Sequence, residues 1–369
     1  MKKNHRLVWF LLVGLLILNV PTSSAQNATL AKDAIRRIDE AVLAEMQRQE
    51  VVGLAVGVIC DGRIVYVRGY GLADREAAVP INRDTMFRWA SISKPVTAIA
   101  AMQLVEQGKL RLDDDVRQYV PEFPDKGHRI TVRHLLCHQG GIVHYSNGEV
   151  IRTQQQYTNQ HPFADVVVAL DTFKESPLVC LPGEKHSYST HGYILLSSVV
   201  ERSGGQPFAD QVQQRIAKPL GLRSLQPDYQ WVDIPNRTKG YRRVDGKIVG
   251  STDTDVSWKL GGGGFISTID DMARFATAVT RGRLLQATTW RDVATVQLTN
   301  SGEPTGYGLG FSVSGQDRQL KLSHSGSQEK VRARLTTYPK QGSGVVVMCN
   351  SEYSDAGRFS TLVFSALSQ

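Results

Sequence analysis

Ser91-Ile92-Ser93-Lys94 sets a hydroxyl and an amine three residues apart at the start of a helix-like run that reaches Gly108. Side chains at i and i+3 share a helical face, so the amine can reach the hydroxyl. A serine hydroxyl is a weak nucleophile until a base takes its proton, and a desolvated lysine is such a base. The positive end of the helix favours a developing oxyanion. Pro95 fits the first turn, where its missing N–H costs nothing. A second Ser-x-x-Lys match, Ser327 to Lys330, precedes residues 331–337, which alternate like a strand, and is the weaker candidate. An N-capping serine beside a solvated lysine would give the same letters, so the motif needs partners.

Acyl transfer also needs a proton relay and donors for an oxyanion. Tyr145-Ser146-Asn147 and Tyr188-Ser189-Thr190 each offer a tyrosine, the second just before a helical run at 192–202. His324-Ser325-Gly326 closes a strand-like run, and Ser327 follows it. Glycine at a strand edge admits a substrate backbone, and a backbone N–H there can complete an oxyanion hole.

The elements that must hold these residues are legible as patterns. Residues 31–49 carry Ile35, Ile38, Val42 and Met46 at helical spacing. Residues 54–59 and 64–68 are β-rich runs joined through Asp61-Gly62, a hairpin signal. Residues 109–190 are mixed, and Pro121, Pro124, Pro177 and Pro182 punctuate loops. Residues 207–220 read as one helix, with Phe208, Val212 and Ile216 on a face. Asp270 and Asp271 suit a helix start after Gly261–Gly264. Strand-like runs return at 307–313, 319–323, 332–337 and 344–348, so both ends of the chain should share one sheet.

The chain has 369 residues and suits one large domain or two interlocked ones. Lys2, Lys3 and Arg6, an apolar run at 7–20 and Ser23-Ser24-Ala25 read as an export signal cleaved before Gln26. The run is short for a membrane span, and no other stretch is long and apolar enough for a stable one. Net charge is +8, or +5 without those three cations. The basic residues are scattered without an aromatic-interleaved patch, which argues against nucleic acid as a partner. Cys60, Cys137, Cys180 and Cys349 have no framework spacing, and free thiols fit them at least as well as disulfides. His134, Cys137, His138 and His144 suggest a metal set, yet a structural segment is the preferred reading, and no metal or cofactor is expected. Asp113-Asp114-Asp115 lacks the alternation of a calcium loop, and Gly261–Gly264 lacks the ending of a phosphate loop. Trp258 and Tyr307 suit a cleft wall or the core equally.

Taken in order, the Ser-Ile-Ser-Lys, Tyr-Ser-Thr and His-x-Gly elements resemble the serine β-lactamase and penicillin-binding-protein superfamily, in its class C-like branch. Within it the chain is similar to the mitochondrial serine β-lactamase-like group and its bacterial relatives. Residues 120–124, 131–141 and 262–268 also look like family segments, and the likeness spans about 31–350. It implies an α+β fold of the β-lactamase/transpeptidase type: a terminal antiparallel sheet flanked by helices, with a mostly helical subdomain over about 85–300. It implies that Ser91 is acylated, that Lys94 activates it and that Tyr188 serves as general base and then acid. Tyr145 ranks second for that role. Thr190 stands where the family usually has asparagine, and His324 and Gly326 match a strand motif usually written Lys-Thr-Gly. The oxyanion would sit between the N–H groups of Ser91 and Ser327. His-x-Gly is commoner in peptidase and esterase relatives, which implies amide or ester hydrolysis of a small molecule or peptide. A true β-lactamase or cell-wall D,D-peptidase is the alternative, and a non-catalytic penicillin-recognising domain is another. Antiparallel terminal strands of this kind would keep Cys60 and Cys349 apart. Loops at 145–180 and 225–260 would carry specificity.

Overall fold

The structure, a computed structural model, describes residues 30–368. The expected export segment at 1–25 lies outside them. Seven antiparallel strands form the main sheet, in the order Val79–Pro80, Arg63–Asp74, Gly53–Cys60, Ser343–Cys349, Val331–Tyr338, Lys321–Gln328 and Ser312–Ser314. The two chain ends therefore meet at its centre, where Leu54 faces Cys349 and Ile59 faces Gly344. This is the α+β, β-lactamase-type arrangement. Asp61 and Gly62 both have positive φ (50° and 65°), which is what a two-residue type I′ hairpin turn demands.

The sheet is covered on both faces, which explains its unbroken apolar central strand Ser343–Cys349. On one face the helices Lys32–Gln49 and Ala356–Leu367 bury Ile38, Val42, Phe359 and Val363 against Val56, Val345 and Val347. On the other, helix Ile269–Thr280 packs Ile269, Met272 and Ala273 onto Ala55, Val346 and Met348. Helix Ser93–Glu106 is apolar nearly all round and buried from Ser93 to Leu104 apart from Gln103. A helix of that composition belongs inside a core.

Two expected elements differ. Residues 207–220 are not one helix: Phe208–Val212 passes into a π turn at Gln213–Ala217 and then Lys218–Leu220. Pro219 has no N–H for the carbonyl of Arg215, and Gln103 Nε2 donates to that oxygen instead, at 3.2 Å. The strand expected at 307–313 is only Ser312–Ser314. Gly310, at φ 96°, presses so near Ala98 that a Cβ there would lie 2.2 Å from the alanine methyl, so this segment packs on a helix. The four cysteines are all free thiols, and Cys349 pairs with Leu54, six residues before Cys60. Among the described residues no helix is long and apolar enough to cross a membrane.

Candidate active site

Ser91 sits in a 3-10 turn, Ala90–Ile92, one residue ahead of the α-helix that carries Lys94. The turn is held hard. Trp89 donates its backbone N–H to Phe265 O at 2.8 Å and its indole N–H to Ser267 Oγ at 2.6 Å. Ala90, fully buried, adopts φ 47°, a left-handed conformation that non-glycine residues reach only when the surroundings impose it. Just upstream, Arg88 forms a buried ion pair with Asp228 at 2.5 Å, and Asp228 also meets Arg237 at 3.0 Å. Those contacts tie the 225–260 loop to the base of the turn.

Lys94 is fully buried, and its Nζ lies 2.9 Å from Ser91 Oγ, 3.2 Å from Thr190 Oγ1 and 2.7 Å from Gly262 O. No carboxylate pairs with it among the described residues. Desolvation and the nearby positive Lys259 hold its pKa well below the ordinary lysine value. A neutral amine has two N–H groups and one lone pair. Gly262 O and Thr190 Oγ1 can take the N–H groups, which leaves the lone pair for the Ser91 hydroxyl. The glycine run makes this possible: a Cβ on Gly262 would lie 2.7 Å from Thr190 Cγ2, and one on Gly261 2.6 Å from Ser197 Cβ.

Tyr188 completes the cluster. Its ring centroid is 4.8 Å from Lys94 Nζ. Burial raises its pKa, and the Ser91 side chain works against that rise. Three histidines surround the ring: His138, His144 and His324, at 4.3, 5.5 and 6.4 Å between centroids. His138 Nδ1 accepts the N–H of Ser189, and His144 Nδ1 accepts that of Thr190, both at 3.2 Å. They cap the start of helix Thr190–Gly204 and fix the Tyr188 segment. Sequence reasoning missed this role, because 46 and more residues separate the partners. It also answers the metal suggestion. His134 Nδ1 is occupied by the Thr131 N–H, Cys137 Sγ faces Arg133 O, and no metal-holding group occurs among the described residues.

His324 Nδ1 lies 2.7 Å from Ser325 O, which can only accept, so Nδ1 carries the proton. Nε2 is then an acceptor for the Tyr307 hydroxyl at 2.9 Å. Burial above all pushes the His324 pKa down to about 3. The strand motif thus presents a neutral imidazole tied into the wall, and Tyr307, otherwise a core residue, earns its place through that bond. Gly326 abuts the nucleophile turn, and Ser327 faces the opening.

The cleft has two lobes that share Tyr145 and Ser327. One, of about 420 Å³, contains Ser91, Tyr188, His186, Tyr307 and His324. The other, of about 520 Å³, contains Arg152, His191, Trp258, Lys259 and Gln328. Tyr145 is an exposed wall residue packed on His144, with centroids 3.7 Å apart. Its neighbour Asn147 accepts the His144 N–H at 2.6 Å, so the literal Tyr-x-Asn match is spent on a turn. Ser91, Lys94, Tyr188, Thr190, His324, Gly326 and Ser327 converge on one place. Ser327–Lys330 does not act as a second tetrad, because Lys330 turns to Asp253.

A Ser/Tyr pair opening on a cleft over a buried lysine, between a helical layer and the edge of an antiparallel sheet, defines a protein of the serine β-lactamase and penicillin-binding type. The family model described as Beta-lactamase matches residues 38–367, and the chain belongs to that family. It is 30% identical over 315 residues to the human mitochondrial serine beta-lactamase-like protein LACTB, covering 68% of this chain and 56% of that protein. The chain thus spans little more than half the length of that relative. It is 34% identical over 200 residues to the esterase EstB of Burkholderia gladioli, covering 51% of this chain and 50% of the esterase. In fold it is similar to EstCE1, a hydrolase with promiscuous acyltransferase activity, at a TM-score of 0.77 and 23% identity, covering 91% of this chain and 99% of the other.

Proposed function

We propose that the chain is an exported serine hydrolase that cleaves an amide or ester bond, peptide-like amides foremost, through an acyl-enzyme on Ser91. The observation that carries the reading is the buried Lys94 amine 2.9 Å from Ser91 Oγ with no carboxylate beside it. A charged lysine there would bear a large uncompensated desolvation cost, whereas a neutral one is a base in waiting. Ser91 Oγ attacks the carbonyl carbon as its proton passes to Lys94. The oxyanion is held by the N–H groups of Ser91 and Ser327. Tyr188, whose raised pKa keeps the phenol protonated at neutral pH, hands a proton to the leaving nitrogen or oxygen. Lys94 is therefore assigned the base and Tyr188 the acid, a sharper division than the sequence implies. Water then attacks the ester by the reverse route and frees the acid. Export rests on the basic, apolar and small-residue pattern of residues 1–25.

The neutral, wall-bound His324 favours this reading over a true β-lactamase or D,D-peptidase, because the motif position usually held by lysine offers no cation to a substrate carboxylate. Intact mass after exposure to a fluorophosphonate, with Ser91→Ala alongside, is the test. One adduct that is absent from the variant is expected. No adduct on the unsubstituted protein would return the chain to a binding role. Nitrocefin turnover at rates above those for simple amides and esters would restore the β-lactamase reading.

A further inference from the structure

The second lobe has chemistry that the acyl-transfer cluster does not use. Lys259 is 7% exposed, and among the described residues its Nζ makes no hydrogen bond; it lies 5.4 Å from the Trp258 ring centroid and meets Glu329 at the 4.0 Å limit of an ion pair. The Arg152 guanidinium lines the same lobe and likewise has no ion pair or hydrogen bond among the described residues. Gln328 Nε2 is buried there with no acceptor. Buried donors without acceptors are costly, and two of them, on Lys259 and Gln328, lie beside the exposed Arg152 guanidinium round one cavity, which marks the place of a missing acceptor. Tyr145, His191 and Trp258 supply apolar walls. His191 is pushed down to about 4 by burial, so it adds no charge at neutral pH. With Glu329 as the one acid, Lys259 and Arg152 leave the lobe net positive.

We propose that this lobe is an acyl-side subsite for a carboxylate, with Lys259 and Arg152 as its anchors and Gln328 as an added donor. The substrate is then an amide or ester whose acyl group ends in an acid a few atoms from the scissile carbonyl. The assignment to the acyl side rests on the proposed acyl-enzyme reading: Tyr188, donor to the leaving group, lies in the other lobe. It also places the substrate's negative charge away from the strand motif, where His324 offers no cation. The same carboxylate would offset the positive field that Lys259 exerts on Lys94.

Two measurements test it. Glutarate is titrated calorimetrically into the Ser91→Ala protein, with glutaramide as the neutral control. Glutarate should bind more tightly than the diamide, lose affinity as salt rises, and weaken about tenfold or more in Arg152→Gln and in Lys259→Met. Arg152 is exposed, so its variant reports even where the loss of Lys259 disturbs folding. Equal binding of acid and diamide, or binding indifferent to Arg152→Gln, overturns the subsite. The p-nitrophenyl esters of monomethyl glutarate and of glutaric acid are then compared. The acid ester should have the higher kcat/KM, and the ratio should fall towards one in Arg152→Gln. Arg152-dependent glutarate binding without turnover of either ester would sink the hydrolase reading and leave the subsite standing.

Discussion

A Cβ placed on Gly326 would lie 2.5 Å from the carbonyl oxygen of Trp89 and 3.3 Å from Ala90 Cβ. The strand Lys321–Gln328 is thus pressed against the backbone that turns into Ser91. Gly326 is therefore needed for close approach, and the nucleophile's position depends on a residue 235 places later in the chain.

Gly326→Ala should force the strand and the turn apart. Backbone cannot yield as a flexible side chain can, so a cost of about 1–3 kcal/mol in stability is expected. Displacement of the nucleophile relative to the strand should lower turnover by about a hundredfold even where the protein stays folded. Thermal unfolding and the rate of fluorophosphonate labelling check the two effects separately. Wild-type labelling by the alanine variant would mean that the strand does not set the position of Ser91.

The pH dependence of acylation should report Lys94 and not His324. Lys94 is active as a base only when unprotonated, and its pKa lies well below the ordinary lysine value, so the rate should fall as pH drops through that lowered pKa. His324, at about 3, stays neutral over the whole working range. Histidine in place of the usual lysine therefore adds no titration near pH 7, because burial holds the imidazole neutral. His324→Gln can keep both bonds, donating to Ser325 O and accepting from Tyr307, so the profile between pH 5.5 and 8 (the range of an ordinary imidazole) should keep its shape. Loss of a limb in that range would show that the imidazole titrates after all.

The Ser91–Lys94 pair, the Asp61-Gly62 hairpin and the shared terminal sheet were legible because each depends on neighbours or on a two- or three-residue period. What was not legible depends on distant contacts. Lys94 meets Gly262 across 168 residues, and nothing in Gly261–Gly264 alone says that its carbonyls face a lysine. The segment that leads to Lys259 is tied down where Arg88 donates to Thr254 O at 3.0 Å, a contact across 166 residues that no local pattern predicts. His138 and His144 were expected to belong to a structural segment, but the sequence did not say how; each spends Nδ1 on a backbone amide, 51 and 46 residues on respectively. The π turn at Gln213–Ala217 follows from one proline and a glutamine more than a hundred residues away.

Those histidines give the fold its own pH dependence. His144 and His191 are each held at about 4, chiefly by burial, and His324 at about 3. In the unfolded chain the same groups titrate near the ordinary 6.5. Between these values the unfolded state binds more protons than the folded state, so stability rises with pH through this window and falls on acidification. At pH 5 each imidazole lowers stability relative to neutral pH by on the order of 1–2 kcal/mol, least for the more open His144. Unfolding temperature should therefore drop steeply from pH 7 to 5, while the carboxylates of the surface ion pairs remain ionised. His144→Asn, which keeps an acceptor near the Thr190 N–H, should flatten that slope. A calorimetric Tm that is level between pH 5 and 7 in the unsubstituted protein would show that these imidazoles accept protons in the folded state.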